Sequence, residues 1–276
     1  MFVAFDLEAT GLSMTEDRIV EVGAVRFDEL GAIVATFEQL VKADRPSAPG
    51  ARALHGIDDE QLDRAGPATA VLPEFVAFLG EPGEVTLLAH NAAFDAGLLG
   101  SELIRSGLLL PQLSVVDTLA WARRCWPELP SHKLTALART VGVPDAEHHR
   151  ALADSDLVRR VVLALRAHEP RAGGRPPLAY PIYDPCLGAP IPRGWEAVAA
   201  AIRTSTTIEI IYEAGSRGPT PRTITPVRFE HRGGTAYLVA TCHLDNKLKR
   251  FRPECVVQFR TIAPVGGHPA TPVSHP

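Results

Sequence analysis

The protein has 276 residues, of which 46% are hydrophobic and 22% are charged. This composition is near the globular average, so it excludes wholesale disorder, and the length predicts one large or two modest domains. No apolar stretch approaches the roughly 20 residues of a membrane-spanning helix, and the first residues lack the basic region of a secretory signal, so we expect neither feature. The four cysteines are scattered without a Cys-x-x-Cys pair, which argues against a zinc knuckle and favours a reducing, cytoplasmic location.

The net charge of −4 is divided unevenly along the chain. Residues 1–168 carry 15 Lys and Arg against 24 Asp and Glu, a net charge of −9, whereas residues 169–276 carry 13 against 8, a net charge of +5. One interpretation is that the acidic part binds divalent metal ions and the basic part binds an anionic polymer. The other is ordinary variation of surface charge, and the charges alone do not decide between the two.

The first 168 residues show strands first and then strands alternating with helices. Three apolar runs with short connections predict an antiparallel meander, at 2–8, 19–27 and 34–41. Buried strands are predicted at 85–89 and 115–117. Apolar residues at helical spacing predict helices over 72–79, 95–106, 134–141 and 151–167. This order indicates an α/β layered domain that ends near residue 168.

The composition changes after residue 168. Seven prolines and several glycines fall within 169–194, which predicts a linker or an extended arm on a surface. A helix is predicted over 195–203. Short β-rich runs between 207 and 262, with a turn at Gly233-Gly234, are typical of a small barrel. We expect the tail, residues 265–276, to be flexible.

Two acidic residues interrupt the first apolar strand. Asp6 and Glu8 lie two positions apart, so both side chains leave the same face of the strand. Because unpaired buried carboxylates are very costly, a divalent cation between them is one explanation. The alternative is an edge strand, in which such pairs are common.

Further candidates stand at the ends of strands or the starts of helices. Asp95 follows a predicted buried strand, and taken alone it is better explained as a carboxylate that stabilises a helix dipole. Asp154 lies in the first turn of the domain's last helix. His149 precedes it by five residues, and His148 is its rival. Together, four carboxylates and one histidine match two-metal phosphodiester hydrolysis, in which oxygen ligands hold Mg²⁺ or Mn²⁺ and histidine accepts a proton from water.

These residues lie in three runs that resemble the exonuclease motifs of the DEDDh class. The runs are FDLEATGL at 5–12, HNAAFD at 90–95 and HRALAD at 149–154, in the order and spacing of the family. Supporting runs match at 54–57, 116–119 and 133–138, so the resemblance covers roughly residues 1–168. The class includes the proofreading subunit of bacterial DNA polymerase III, RNase T and oligoribonuclease.

The resemblance implies a ribonuclease H-like fold, with a mixed five-stranded sheet flanked by helices, and 3′→5′ exonuclease chemistry with two Mg²⁺ or Mn²⁺ ions. The implied metal ligands are Asp6, Glu8, Asp95 and Asp154. The implied general base is His149, because it has the family's separation from the last aspartate. The implied contacts to the terminal nucleotide are Thr10, Gly11 and Leu12. Ala9 stands where the family usually has Thr or another small residue. We expect three further polar residues to be structural: His55, His90 and Asn91.

Residues 195–264 resemble a WYL domain, a small SH3- or Sm-like barrel thought in its family to bind nucleic acid or nucleotide-like ligands. The matching runs are 210–212, 222–226, 233–240 and 249–252, and Ala236 stands in place of the family's Trp. Cations beside aromatic residues are typical of a platform for single strands, so we expect Arg222, Arg250 and Arg252 to bind substrate. The alternative is that Tyr237 and Phe251 form core and the arginines protect a solvated edge.

The sequence thus favours a 3′→5′ exonuclease that releases nucleoside monophosphates from single-stranded DNA, with the barrel holding the strand. An RNA or short-oligonucleotide exonuclease is the alternative, because the sequence does not reveal how the site treats a 2′-OH. A third hypothesis, a nucleotide sensor that acts through the barrel, is disfavoured by the intact set of carboxylates and histidine. A polymerase partner is a further hypothesis, but the linker contains no convincing clamp-binding peptide.

Overall fold

The computed structural model describes residues 1–143, 149–168, 177–214, 218–232 and 235–261. Our predictions for His148, for the Gly233-Gly234 turn, for the tail and for residues 169–176 of the linker lie outside these ranges. The chain forms two compact units, of which the first comprises residues 1–194 and 229–236 and the second comprises the rest. No helix among the described residues has the length and apolar character needed to cross a membrane.

The first unit is built on a mixed sheet with the strand order β4-β3-β2-β1-β5-β6-β7. Its strands are β1 (Phe2–Ala9), β2 (Ile19–Phe27), β3 (Ile33–Lys42), β4 (Gly66–Pro67), β5 (Thr86–Ala89), β6 (Ser114–Asp117) and β7 (Ala179–Pro181). The meander β1–β2–β3 is antiparallel, as predicted, and β1, β5 and β6 are parallel. Five strands were predicted, and two short edge strands add to them. Both added strands contain proline, which edge positions tolerate and which concealed them in the sequence.

The helices described in this unit are α1 (Pro49–His55), α2 (Asp59–Arg64), α3 (Ala68–Leu79), α4 (Ala92–Arg105), α5 (Thr118–Cys125), α6 (Leu134–Thr140) and α7 (Ala151–His168). The sequence predicted α3, α4, α6 and α7. It missed α1, α2 and α5, which have eight residues or fewer and therefore show little periodicity. In α2 a capping box between Asp58 and Gln61 fixes the start of the helix instead.

The two faces of β1 bury different cores. Phe5 packs into a cluster with residues of α3 and α4, whereas Ala4 packs into a second cluster with residues of α5, α6 and α7. Because side chains alternate along a strand, Asp6 and Glu8 lie on the same face as Ala4. The two carboxylates therefore face the side of the sheet that α7 covers.

Helix α7 lies directly on β2 at Gly23, which is the cross-strand partner of Asp6. A Cβ atom at Gly23 would stand 2.2 Å from the carbonyl carbon of Ala151, so only glycine permits this approach. The Ser155 hydroxyl donates to the Gly23 carbonyl oxygen at 3.0 Å. The first turn of α7, which carries Asp154, is thereby held next to β1.

The described part of the predicted linker belongs to the first unit. Strand β7 pairs antiparallel with β6, and Tyr180 within it is buried in the core. A Cβ atom at Gly100 of α4 would stand 1.9 Å from the carbonyl oxygen of Tyr183, so this segment packs against the helix backbone. The first unit therefore extends to Gly194 instead of ending near residue 168.

The second unit contains α8 (Glu196–Thr204) and takes part in an antiparallel sheet of the order β11-β10-β9-β8-β12. The strands are β8 (Ile208–Tyr212), β9 (Thr220–Arg232), β10 (Thr235–Cys242), β11 (Lys247–Phe251) and β12 (Val256–Thr261). The predicted helix and the five predicted strands are present. Within the described ranges β11 and β12 are the edges of this sheet, and their pairing to close a barrel is not seen.

Candidate active site

Three carboxylates converge where β1 meets the first turn of α7. One ligand oxygen each from Asp6, Glu8 and Asp154 lies within 4.8 Å of the others. Glu8 and Asp154 are buried, and Asp6 is half-buried. Residues 6, 8 and 154 are brought together because β1 fixes the first two on one face and the glycine contact at residue 23 fixes the helix above them.

Asp95 belongs to the same electrostatic cluster although it lies outside that group of three. It is in the first turn of α4 and is 4% exposed. The backbone of Leu7, the residue between Asp6 and Glu8, acts to lower the pKa of the Asp95 carboxyl group. Its negative charge also acts on Asp6 and Glu8. The structure thus brings together all four predicted carboxylates.

Burial and mutual repulsion raise the pKa values of these acids. Desolvation, followed by the charges of Asp154 and Glu21, raises the pKa of Glu8 to about 8. Desolvation raises the pKa of Asp95 to about 8, against the lowering effect of its backbone hydrogen bonds. Desolvation and then the charge of Asp95 raise the pKa of Asp6 well above its ordinary value. The cluster therefore carries more negative charge than its surroundings compensate.

A hard divalent cation fits this set of donors. All the converging side-chain atoms are carboxylate oxygens, which Mg²⁺ and Mn²⁺ prefer as ligands. A cation between them would replace the hydration lost on burial and remove the repulsion that raises the pKa values. The three converging carboxylates could therefore hold a metal ion, and all three are among the four ligands that the sequence predicted.

His149 is half-buried and precedes α7 with φ = +36°, in the left-handed region. A residue other than glycine adopts this conformation only where its neighbours hold it. Arg150, the next residue, is bound to the side chain of Glu21. His149 thus stands at the entrance to the helix that supplies Asp154.

A family model for exonucleases, that of RNase T, matches residues 3–161, which is more than half of the chain and includes the four carboxylates and His149. The chain belongs to the RNase T exonuclease family. The matched region, residues 3–161, is therefore a nuclease domain, and its family depends on divalent metal ions. We call it the exonuclease domain. A second family model, that of the WYL domain, matches residues 194–260.

The exonuclease domain is similar to part of much longer proteins. It is 36% identical over 155 residues to DNA polymerase III PolC-type of Halalkalibacterium halodurans, covering 56% of this chain and 10% of that protein. It is 37% identical over 164 residues to DNA polymerase III PolC-type of Caldanaerobacter subterraneus, covering 59% of this chain and 11% of that protein. The chain thus spans about a tenth of the length of these relatives.

Solved exonuclease structures share the fold. A structure of exonuclease I matches 93% of this chain and 63% of its own chain with a TM-score of 0.62 and 17% identity. The structure of E. coli exonuclease I in complex with a dT13 oligonucleotide matches 87% of this chain and 54% of its own chain, with a TM-score of 0.60 and 18% identity. At these identities the likeness establishes the fold, an α/β exonuclease fold of the ribonuclease H type.

Glu21 lies beside the carboxylate cluster, and the sequence analysis missed it. It lies on β2 as the cross-strand partner of Glu8, and it is fully buried. Its carboxylate accepts hydrogen bonds from the side chain of Arg150 and from the amide of Ala151 at 2.9 Å. The signal was present, since Glu21 interrupts an apolar strand just as Asp6 does.

The predicted nucleotide-contacting loop, residues 10–12, divides into two kinds of residue. Thr10 is fully buried, and its hydroxyl donates to Oδ1 of the buried Asp17 at 2.9 Å. A Cβ atom at Gly11 would stand 2.4 Å from Oδ2 of Asp17. Leu12, in contrast, is 89% exposed. The hydroxyl of Thr10 is thus used inside the loop, and Leu12 is the exposed apolar residue, while contact of residues 10–12 with a nucleotide stays a prediction.

The three polar residues expected to be structural all make internal hydrogen bonds. The ring of His90 lies 3.2 Å from the Thr118 hydroxyl and 2.9 Å from the His132 carbonyl oxygen, and burial lowers its pKa to about 4. Asn91 has φ = +69° and lies directly before α4. His55 accepts a hydrogen bond at Nδ1 from the amide of residue 57 at 3.0 Å. These contacts support the structural interpretation.

The cations predicted to bind substrate in the second unit are half-buried or exposed. The guanidinium of Arg222 lies over the ring of Tyr212, at 5.4 Å from the centroid. Arg252, one residue beyond β11, donates its amide to the Tyr212 hydroxyl at 3.4 Å. Arg250 is exposed on β11, and the neighbouring Phe251 is buried. Phe251 is therefore core, as the alternative interpretation proposed.

Proposed function

We propose that the protein is a metal-dependent 3′→5′ exonuclease that releases nucleoside monophosphates from single-stranded DNA. The observation that carries the proposal is the convergence of Asp6, Glu8 and Asp154 within 4.8 Å in a largely buried site. The raised pKa values of Glu8 and Asp95 support it, because they indicate a site that lacks positive charge. Oxygen ligands alone, without nitrogen or sulfur, match the metals that phosphodiester hydrolysis uses.

Two Mg²⁺ or Mn²⁺ ions held by Asp6, Glu8, Asp95 and Asp154 would stabilise the negative charge that develops on the attacking and leaving oxygens. The chain contributes the rigidity of the ligands, since a strand and two helix starts fix the four carboxylates. His149 accepts the proton of the attacking water at its imidazole nitrogen. Its half-buried position allows the ring to pass that proton to solvent.

The preference for single-stranded DNA is proposed from relatives and from the loop after β1. The relatives at 36–37% identity are DNA polymerases, and a structure of the same fold contains a dT13 oligonucleotide. The exposed Leu12 would pack against the terminal base, while Thr10 and Gly11 hold the loop against Asp17. Packing of an apolar side chain against the face of a base does not depend strongly on which base is present.

We also propose that Arg222, Arg250 and Arg252 of the WYL domain bind the backbone of the strand. All three lie in a part of the chain with an excess of positive charge, a net +5 over residues 169–276. Arg222 and Tyr212 already form a stacked cation and ring, which can be shared with a base or a phosphate. Water at the metal site that the carboxylates would form would then hydrolyse the strand that these cations retain.

A gel time course tests the proposed activity. The purified protein is given 5′-labelled single-stranded DNA or RNA of one sequence, with Mg²⁺, with Mn²⁺ or with chelator, beside the Asp6→Ala variant. We expect a ladder of DNA products that shortens from the 3′ end, requires metal and is absent in the variant. Faster degradation of RNA would reassign the substrate class.

Two other results would contradict the proposal. Products of uniform short length at early times would indicate attack from the labelled 5′ end. Intact DNA and RNA in every lane would leave the nucleotide sensor as the better hypothesis, and binding of nucleotides to the WYL domain would then be measured by calorimetry.

A further inference from the structure

An ion pair lies beside the carboxylate site, in which the Glu21 side chain is buried and the Arg150 side chain is 41% exposed. Glu21 is fully buried on β2, next to Glu8 on β1. Arg150 donates from Nε to both carboxylate oxygens of Glu21 at 3.0 Å and from Nη2 to Oε1. Glu38 of β3 lies 3.8 Å from the same guanidinium. A buried acid in this cluster adds repulsion, so its retention needs a separate reason.

The ion pair controls the backbone that immediately follows His149. Glu21 accepts hydrogen bonds from the Arg150 side chain and from the Ala151 amide, so one carboxylate fixes two consecutive residues. His149 itself has φ = +36°, a conformation that costs energy outside glycine. The contacts of residues 150 and 151 fix the backbone on the α7 side of His149.

Asp154 has an anchor of its own. The hydroxyl of Ser155, the next residue, donates to the carbonyl oxygen of Gly23 at 3.0 Å. The close backbone contact of Gly23 is with residues 151 and 152. Loss of the contact between Glu21 and Arg150 would therefore release the entrance of the helix more than its first turn. The two anchors separate the placement of the histidine from the placement of the metal ligand.

We propose that Glu21 and Arg150 are positioning residues that place His149 over the carboxylate site. The inference rests on the proposed function, because it assigns the pair a role only through the histidine that acts as general base. Neither residue is required to touch substrate or metal. The pair acts by orientation, and a displacement of about 1 Å at a catalytic group is enough to cost roughly 10²-fold in rate.

The first test is the Arg150→Met variant, which keeps the length of the side chain and removes its hydrogen bonds. We expect kcat to fall by about 10- to 100-fold, with KM within about 3-fold of wild type. The affinity for Mn²⁺, measured by calorimetry without substrate, should stay within about 3-fold because the ligands keep their own anchor. The matched control is Arg166→Met, which removes an ion pair between the same helix and Glu29 and should leave kcat unchanged.

The second test asks whether Arg150 acts through His149. In the His149→Ala background, Arg150→Met should reduce kcat by less than about 3-fold, because there is no imidazole left to place. A full additional loss in that background would overturn the proposal and indicate a direct role on substrate or metal. A kcat for Arg150→Met equal to that of Arg166→Met would also overturn it.

The double variant Glu21→Gln with Arg150→Met covers the case in which the single variant does not fold. Arg150→Met leaves a buried negative charge without its ion pair, whereas the double variant removes that charge. We expect it to melt cooperatively and to be as slow as Arg150→Met. A folded double variant with wild-type kcat would overturn the proposed role of the pair. Failure of the proposed function is distinct, since the wild-type protein would then show no metal-dependent degradation at all.

Discussion

The two units place their charged residues under opposite physical conditions. In the exonuclease unit, Glu8 and Asp95 are buried beside further acids, and their pKa values rise to about 8. In the WYL unit, Arg250 is exposed and Arg222 is half-buried. A buried, uncompensated charge requires a ligand, whereas an exposed charge is solvated at little cost and requires none. The cost of burying charge therefore favours a ligand site in the first unit, whereas only the excess of surface cations favours one in the second.

The largest effect should follow the loss of a metal ligand. Asp6→Asn should reduce nuclease activity by at least about 10⁴-fold and weaken Mn²⁺ binding in calorimetry. It should also raise the melting temperature of the metal-free protein, because one repelling charge is removed from the cluster. The control is Asp63→Asn, which changes an exposed carboxylate of the same unit. A lower melting temperature for Asp6→Asn would contradict the charge argument.

A smaller loss should follow removal of the proposed general base. His149→Ala should reduce kcat by about 10²- to 10⁴-fold, the usual contribution of proton transfer to a positioned side chain. Mn²⁺ affinity should be retained, since no ligand is changed. Calorimetry and single-turnover rates, measured on one preparation, check both parts. A parallel loss of metal affinity would make His149 a ligand instead.

The pH dependence of stability sharpens the same comparison. The pKa of Glu8 is raised from 4.5 to about 8, so the folded protein holds protons that the unfolded chain releases. In the metal-free protein, the contribution of Glu8 to the free energy of unfolding should be fully present below about pH 4.5. That contribution should be lost as the pH rises through about 8. Mn²⁺ should counteract the loss. Thermal melts of wild type and Glu8→Gln across this range, with and without metal, test the sign.

The smallest effect is expected in the WYL unit. Replacing both Arg250 and Arg252 by Ala should weaken binding of single-stranded DNA and reduce the slope of log K against log salt by about 1.4, or 0.7 for each lost phosphate contact. The rate of cleavage at saturating DNA should not change. Arg260→Ala is the matched control, because Arg260 is paired with Glu209 on the same sheet. An unchanged salt slope would remove the second unit from the substrate path.

The sequence was sufficient for the residues whose neighbours lie close along the chain. Asp6 and Glu8 are recognisable because a strand alternates its faces, and Asp154 because it follows the His149 motif at fixed spacing. Glu21 was not recognised, since its partner Arg150 is 129 residues away and only the folded sheet brings them together. Tyr180 was assigned to a linker, because prolines around it hide an edge strand that the core nevertheless buries.

The role of Thr10 shows a different limit. Its place in a motif predicts contact with substrate, and the structure adds that its hydroxyl donates to Asp17 and accepts from the amide of Arg18 inside the loop. A motif indicates that a residue type is needed at a position but not whether its side chain points outward. That distinction depends on Asp17, which lies seven residues away in an irregular segment.

The separation of β1 and α7 along the chain also has a consequence for biosynthesis. Asp6 of β1 is translated 148 residues before Asp154, the α7 residue that completes the cluster. During that interval a nascent chain holds an incomplete set of acids and lacks the histidine. An incomplete cluster would not hold the metal ions, so we expect nuclease activity to arise only after α7 has been translated and has packed on the sheet.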